Sequence, residues 1–241
     1  MIGQLYDRMK ALGLADNTYF IFTSDHGENN MEHHLYYKMN LYESSARVPL
    51  VIVGPGIEKG LRLDNIVSLV DIYPTLMDMA GLETPEGLDG ESLLPLATGQ
   101  TKTSRNYALA ERTGMCGQTP SFMLRRGHWK YIAFPGYEPM LFDLSKDYYE
   151  VDNIAPANPD IVKKMDAELR RLVDYEAVTR ELIDYNRESF NQWYEKHSRK
   201  TVHLREYGAD IPRAYADDIL NNTYIGFNQN YKDKLMYWTK G

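Results

Sequence analysis

The residues with the clearest capacity for chemistry are an aspartate and a histidine that follow a short apolar segment. Asp25 and His26 come soon after Tyr19–Thr23, an aromatic and apolar run typical of a buried parallel strand. In open α/β sheets, ligands bind beyond the carboxyl ends of the strands. A neighbouring carboxylate and imidazole could therefore share a divalent cation. The alternative is a polar turn at the end of a strand, in which Asp25 caps the residues that follow.

A second group of candidate residues lies a little further along the chain. His33 and His34 are adjacent, but no second pair of ligands stands at the spacing of a zinc site. Lys38 carries a compact positive charge that suits a phosphate or sulfate group. The alternative is a surface ion pair between Lys38 and Glu43, which would contribute little stability. Together these residues place a candidate cation site and an anion-binding lysine after one strand.

Two domains are expected to position these side chains. Residues 1–105 combine helical spacing with apolar runs such as Pro49–Val53, and they predict an α/β domain with a mostly parallel sheet flanked by helices. Residues 106–241 predict a smaller α+β domain with an antiparallel sheet and a helical tail, because strand patterns come first and helical patterns follow. The predicted elements of this second domain are strands at 121–126, 129–134 and 140–144, and helices at 159–175 and 176–198.

The composition excludes several classes of protein. The 241 residues include 34 acidic and 27 basic side chains, and the net charge of −7 disfavours nucleic acid and anionic membranes as partners. No apolar run approaches the roughly 20 residues of a membrane span. The single cysteine, Cys116, excludes an internal disulfide and a cysteine-based zinc site. No signal peptide is visible, and the opening helix lacks a preceding strand, so we expect the chain to be a fragment.

A series of short motifs runs through the chain in a fixed order. The motifs are Ser24-Asp-His-Gly-Glu28, Glu32-His33, Lys38, Leu41-Tyr-Glu43, Arg47-Val-Pro-Leu50, Gly54-Pro-Gly56, Ser68-Leu-Val-Asp-Ile-Tyr-Pro-Thr75 and Ala80-Gly81. Their order and spacing resemble the second half of the sulfatases, which belong to the alkaline phosphatase superfamily. Further segments at 31–39, 67–75, 92–96, 128–133 and 141–144 resemble one group of sulfatases, which removes the 2-sulfate of uronic acids in glycosaminoglycans. The resemblance covers residues 1 to about 200.

The resemblance implies a catalytic α/β domain with a bound Ca²⁺ and a formylglycine nucleophile, and a smaller C-terminal domain. Asp25 and His26 match the calcium-binding pair of the family. Lys38 matches the lysine that contacts the sulfate and the leaving oxygen. His33 lies in a stretch near the mouth of the pocket, so the resemblance implies substrate-binding and catalytic roles for both Lys38 and His33. The implied substrates are sulfated sugars or aryl sulfates, and the implied location of the full-length protein is the lysosome or the outside of the cell.

Two features of the sulfatases have no counterpart in the sequence. They are an early pair of aspartate ligands and the motif that becomes formylglycine, a cysteine followed by x-Pro-Ser-Arg or x-Ala-Ser-Arg. Cys116 stands in Cys-Gly-Gln-Thr-Pro, which lacks the arginine. We therefore expect the chain to need an N-terminal half before it turns over sulfate esters. Two alternatives stay open: a phosphoester or phosphonate hydrolase of the same superfamily, and a non-catalytic pseudo-sulfatase that binds sulfated sugars.

Overall fold

The computed structural model describes residues 1–101, 104–113, 119–197, 202–204 and 209–211. The chain divides into two compact units, one with residues 1–112 and 120–173, the other with residues 113–119 and 174–241. Cys116 lies outside the described residues, and the predicted domain boundary at residue 105 stays a prediction.

The first unit contains five α-helices and six strands among its described residues. Its helices are α1 (Ile2–Ala11), α2 (Glu43–Ala46), α3 (Ile72–Met79), α4 (Leu94–Ala97) and α5 (Pro159–Leu172). Its strands are β1 (Phe20–Thr23), β2 (Leu50–Val53), β3 (Tyr107–Arg112), β4 (Ser121–Arg126), β5 (Trp129–Ala133) and β6 (Met140–Asp143). Short 3₁₀ helices occur at Ala15–Asn17, Glu32–His34, Leu69–Asp71 and Ala155–Ala157.

Strands β1 and β2 form a two-stranded antiparallel sheet, in which Thr23 pairs with Leu50. The mixture of helices and strands predicted for an α/β chain is confirmed, but the parallel direction predicted for these strands is wrong. A parallel pair needs a long crossover, usually a helix, to carry the chain back to the other end of the sheet. The connection here contains a 3₁₀ turn at Glu32–His34 and the four-residue α2 but no longer helix, and it starts and finishes at the same end of the pair. Both strands are also only partly buried, and Val51 is exposed.

The four-stranded sheet is an antiparallel meander, in which β3, β4, β5 and β6 pair in chain order. The predicted hairpin is confirmed, because Arg126 pairs with Trp129 across a turn in which Gly127 has a φ of 56°. One face of helix α5 packs on β4 and β5, and Met165 and Leu169 are its buried residues. The completely buried apolar side chains of the sheet are Phe122, Leu124 and Leu141.

The second unit contains helix α6 (Tyr175–His197) and an antiparallel pair of strands, β7 (Val202–Leu204) and β8 (Ala209–Ile211). The helix agrees with the predicted helix at 176–198. The strand pair was not anticipated in the helical tail, and its β-branched ends, Val202 and Ile211, are residues that favour strands. In the part of the chain that the structure describes, every helix is too short or too polar to cross a bilayer.

Candidate active site

The candidate site lies in the segment that joins β1 to β2. Asp25 and His26 stand just beyond the carboxyl end of β1. The Nδ1 atom of His26 lies 2.6 Å from the carbonyl oxygen of Gly27, so Nδ1 carries a proton and donates it to that oxygen. The Nε2 atom of His26 lies 3.4 Å from Oδ2 of Asp25. In the neutral imidazole, Nε2 therefore presents its lone pair beside the carboxylate.

These two side chains fit part of a calcium site. Asp25 supplies hard carboxylate oxygens and is well exposed, with 81% of its side chain accessible. A separation of 3.4 Å between His26 Nε2 and Asp25 Oδ2 allows both atoms to reach one ion at about 2.3–2.6 Å. Ca²⁺ takes about six to eight ligands, mostly oxygens. The described residues hold no group of three or more His, Cys, Asp or Glu side chains that could bind a metal, so the pair would supply two ligands of a larger set.

The surroundings of Asp25 favour its charged form. Desolvation raises the pKa of Asp25, but hydrogen bonds from the backbone amides of Asp25 and His26, together with electrostatic attraction to His26 and Lys38, outweigh that rise, so the pKa lies below its ordinary value. Lys38 is thus close enough to act electrostatically on Asp25. The Lys38 side chain is exposed, and it forms no ion pair with the residues that the structure describes. Its charge is available to an anion.

Helix α2 ties the two ends of this loop together. The N–H of Gly27 donates to the carbonyl oxygen of Ser45 at 2.8 Å, and the Ser45 hydroxyl donates to the carbonyl oxygen of Lys38 at 2.6 Å. A Cβ atom on Gly27 would lie 2.0 Å from the carbonyl oxygen of Ser44. Only glycine permits so close an approach without a shift of the backbone.

Asn29 closes the part of the loop between Asp25–His26 and Lys38. It is completely buried, and its Oδ1 accepts a hydrogen bond from the Ser44 hydroxyl at 2.7 Å. Its side-chain amide and its backbone N–H both donate to the carbonyl oxygen of Tyr37. The carboxylate of Glu28 accepts the N–H of Tyr37 at 2.6 Å. These contacts return the chain towards Asp25 directly before Lys38.

His33 has a packing contact in this structure. Its ring stacks on Tyr42, with 3.8 Å between the centroids and 10° between the planes. Tyr42 in turn meets the edge of Phe142 in β6, with centroids 6.1 Å apart. The left-handed backbone of His33, with a φ of 53°, directs the chain into this contact. The catalytic and substrate-binding roles predicted for His33 stay predictions.

Glu43 pairs with a buried lysine, so the proposed alternative of a surface pair between Lys38 and Glu43 is wrong. The Nζ atom of Lys130 is 2.9 Å from Oε1 of Glu43 and 2.8 Å from Oε1 of Glu150. Glu150 also accepts the backbone N–H of Glu43. Burial raises the pKa of Glu150 above its ordinary value, against the opposing charge of Lys130. The sequence analysis missed this cluster, although a lysine inside the apolar run 129–134 signals a buried, paired charge.

Apolar contacts join the same loop to the four-stranded sheet. Leu41, which directly precedes Tyr42 and Glu43, is buried in a cluster with Met123, Ile132 and Phe142. The candidate site therefore rests on the sheet through the residues around the start of α2.

The family model described as N-sulphoglucosamine sulphohydrolase, C-terminal, matches residues 31–175 of the chain. The chain belongs to the sulfatase family. Its predicted place as a C-terminal part is confirmed by the same match. The matched residues include Lys38 and all three members of the buried charge cluster.

Several known sulfatases and one related hydrolase resemble the chain. Human arylsulfatase K is 42% identical over 203 residues, which are 80% of this chain and 38% of that protein. A phosphonate monoester hydrolase from Silicibacter pomeroyi has a TM-score of 0.64 and 27% identity, with coverage of 70% of this chain and 37% of that one. A solved 2-O GAG sulfatase has a TM-score of 0.60 and 27% identity, with coverage of 79% and 42%. The chain thus spans less than half the length of these proteins.

Proposed function

We propose that this chain is the part of a sulfuric ester hydrolase that supplies two calcium ligands and the lysine that contacts the sulfate. The observation that carries the proposal is the loop geometry of this sulfatase-family chain. Asp25 and His26 present adjacent donor atoms, and the exposed Lys38 lies in the same loop, where its charge helps to lower the pKa of Asp25. Similarity to human arylsulfatase K supports the same activity.

Each side chain has a distinct task in this proposal. Asp25 and His26 would hold the Ca²⁺, which when bound supplies positive charge against the negative charge of a sulfate ester. Lys38 would stabilise the leaving oxygen, because a fixed cation lowers the energy of a transition state in which that oxygen becomes negative. His33 would border the substrate, held by its stack on Tyr42. The formylglycine nucleophile would come from outside this chain.

The proposed substrates are sulfated sugars, and in particular glycosaminoglycan chains with 2-sulfated uronic acids. The likeness to a 2-O GAG sulfatase supports this class. Tyr36 and Tyr37, which directly precede Lys38, are 66% and 73% exposed. Exposed aromatic rings beside an anion-binding lysine suit a ligand that has both an apolar ring face and a charged group. A lysosomal or secreted location of the full-length protein follows from this substrate class.

We also propose that the chain works together with an N-terminal half of the sulfatase domain. Large apolar side chains are exposed on α1, directly after α1 and on β2, where Leu5, Leu12 and Val51 are 63%, 55% and 49% accessible. Apolar surface of this kind is typical of a face that further protein covers. An N-terminal half that brought the nucleophile would cover it.

A second candidate function is the hydrolysis of phosphonate monoesters, which the likeness to the Silicibacter pomeroyi hydrolase favours. Sulfate and phosphonate esters both present an anionic oxygen cluster to the cation and the lysine. The two functions differ in the relative rates of hydrolysis of otherwise identical esters.

The direct test is a chimera of human arylsulfatase K in which residues of this chain replace the segment that they match. We expect it to hydrolyse an aryl sulfate, and Lys38→Ala to lower kcat by about 10²–10³-fold. Lys59→Ala, another exposed lysine, is the matched control and should leave the rate unchanged. An active chimera that tolerates Lys38→Ala, or one that prefers the phosphonate ester, would contradict the proposal.

Calcium binding has a separate test. Added Ca²⁺ should raise the melting temperature of the chimera, because a ligand that binds only the folded state stabilises it. Asp25→Ala should reduce that rise, whereas Asp64→Ala, which also removes an exposed carboxylate, should not. An equal rise in all three proteins would exclude Asp25 as a ligand.

A further inference from the structure

We infer that the buried cluster of Glu43, Lys130 and Glu150 is a positioning device for the active site. The cluster fixes helix α2, and α2 fixes the backbone of Gly27 and Lys38. The inference rests on the proposed function, since the placement of Lys38 affects a rate only if Lys38 acts on the substrate.

The burial of the cluster is the first reason. The exposed fractions of the three side chains are 15% for Glu43, 0% for Lys130 and 1% for Glu150. Two carboxylates share one ammonium group in a desolvated place. Well-packed apolar residues are often as stabilising as a buried ion pair, or more so. The cluster is therefore poorly explained by stability alone, and its directional contacts suit a role in orientation.

The elements that the cluster joins are the second reason. Lys130 lies on β5, an inner strand of the four-stranded sheet, and Glu150 lies in the segment after β6. Glu43 is the first residue of α2. Its side chain contacts Lys130 and its backbone N–H donates to Glu150, so this one residue is fixed both to β5 and to the segment after β6.

The path from α2 to the site is the third reason. A four-residue helix has no stability of its own, because helix formation is unfavourable below about 12–15 residues. The position of α2 therefore depends on contacts outside the helix. Ser45 connects α2 to the loop. Its carbonyl oxygen accepts the N–H of Gly27, and its hydroxyl donates to the carbonyl oxygen of Lys38. The backbone positions of Gly27 and Lys38 therefore depend on the contacts of α2 with the sheet.

The first variant for the test is Glu43→Ala in the chimera described above. It removes the side-chain contact of α2 with Lys130, keeps the backbone N–H that donates to Glu150, and leaves the Lys130–Glu150 pair in place, so the fold should persist. We expect kcat to fall by about 10²-fold, the cost of a displacement near 1 Å. KM should change less, because the charge on the leaving oxygen develops only in the transition state. Glu43→Gln should recover most of the activity, because its amide oxygen can still accept a hydrogen bond from Lys130.

The matched control is Tyr131→Phe, on the same strand as Lys130. It removes a 3.0 Å hydrogen bond from Tyr131 to Asp166, which ties the sheet to α5 rather than to α2. It should lower the melting temperature and leave kcat unchanged. In the Lys38→Ala background, Glu43→Ala should cost little more, because the group that it positions is gone.

A readout independent of catalysis is the hydrogen exchange of the Gly27 amide in the 241-residue chain. Exchange should be faster in Glu43→Ala and unchanged in Tyr131→Phe. Only the first substitution loosens α2, whose Ser45 carbonyl accepts the hydrogen bond of the Gly27 amide. Unaltered exchange and kcat in Glu43→Ala would overturn the inference, as would equal losses of kcat in Tyr131→Phe. Additive effects of Glu43→Ala and Lys38→Ala would also overturn it. A chimera without any sulfatase activity would count against the proposed function, and the exchange rates would still decide whether the cluster holds the loop.

Discussion

The four-stranded sheet is stabilised mainly by buried apolar side chains, whereas the loop that carries the candidate site is stabilised mainly by hydrogen bonds. The sheet buries Phe122, Leu124 and Leu141 completely. Between residues 24 and 47, all of which the structure describes, Leu41 is the one buried apolar residue, and the other buried side chains, Asn29 and Ser45, are polar. Apolar burial gives stability without fixing directions, whereas hydrogen bonds fix directions and add little net stability. Stability and activity should therefore respond to different substitutions.

The largest expected effect is on the sheet. Phe122→Ala should lower the free energy of unfolding by about 3–5 kcal/mol, because it leaves a cavity in a site that is completely closed to water. Urea denaturation of the chain measures this loss. Leu5→Ala, at an exposed position of α1, is the control and should cost far less. Equal costs at the two positions would contradict the view that the sheet holds the stability.

A smaller loss of stability with a large loss of activity is expected at Gly27. Gly27→Ala places a Cβ against the carbonyl oxygen of Ser44, and relief of that overlap costs about 1–3 kcal/mol. The same shift separates α2 from the loop, so the chimera should lose most of its sulfatase activity.

The control for this prediction is Gly3→Ala in helix α1. No atom lies within 4 Å of the added Cβ, and alanine favours a helix, so stability should rise slightly and activity should not change. Full activity in Gly27→Ala would show that the contact with α2 does not position the site.

The smallest expected effect is a dependence of stability on pH at the end of β6. A hydrogen bond from the Ser145 hydroxyl, with further contributions from Lys146, lowers the pKa of Asp143 below its ordinary value. A carboxyl group with a lowered pKa in the folded state contributes stability above its unfolded pKa and loses it as the pH falls. Asp143→Asn should therefore be less stable than the unchanged chain near neutral pH, and the difference should shrink below about pH 4.

Thermal melting from neutral to acid pH measures that difference. Asp64→Asn, at an exposed carboxylate, should show no such trend. A gap between Asp143→Asn and the unchanged chain that grows towards acid pH would contradict the assignment. The contact between Ser145 and Asp143 lies at the end of the sheet, so this measurement gives the stability contribution of a polar contact outside the loop.

Local patterns in the sequence predicted the elements of the sheet region well. The hairpin around Gly127 and the helix with Met165 and Leu169 depend on residues close together in the chain, and the structure confirms both. The direction of the β1–β2 pair could not be obtained this way. It depends on which end of the sheet the chain reaches after the connection between the two strands. The apolar residues within the strands carry no information on that.

The site was predicted only in part. The order of the motifs put Asp25, His26 and Lys38 in one segment, which the structure places between β1 and β2, and the roles of these residues stay predictions. The partner of Glu43 could not be deduced from spacing, because Lys130 lies 87 residues further along the chain. The stack of His33 on Tyr42 was missed for a related reason, since it requires the left-handed turn at His33.

The link between Glu43 and the sheet also has a consequence for biosynthesis. The two partners of Glu43, Lys130 and Glu150, lie 87 and 107 residues further along the chain. A chain still emerging from the ribosome would expose the loop before either partner has been made. The loop therefore reaches its final position only after β5 and the residues up to Glu150 have been made, and a nascent chain that ends before Lys130 would present Lys38 on a loop without either contact.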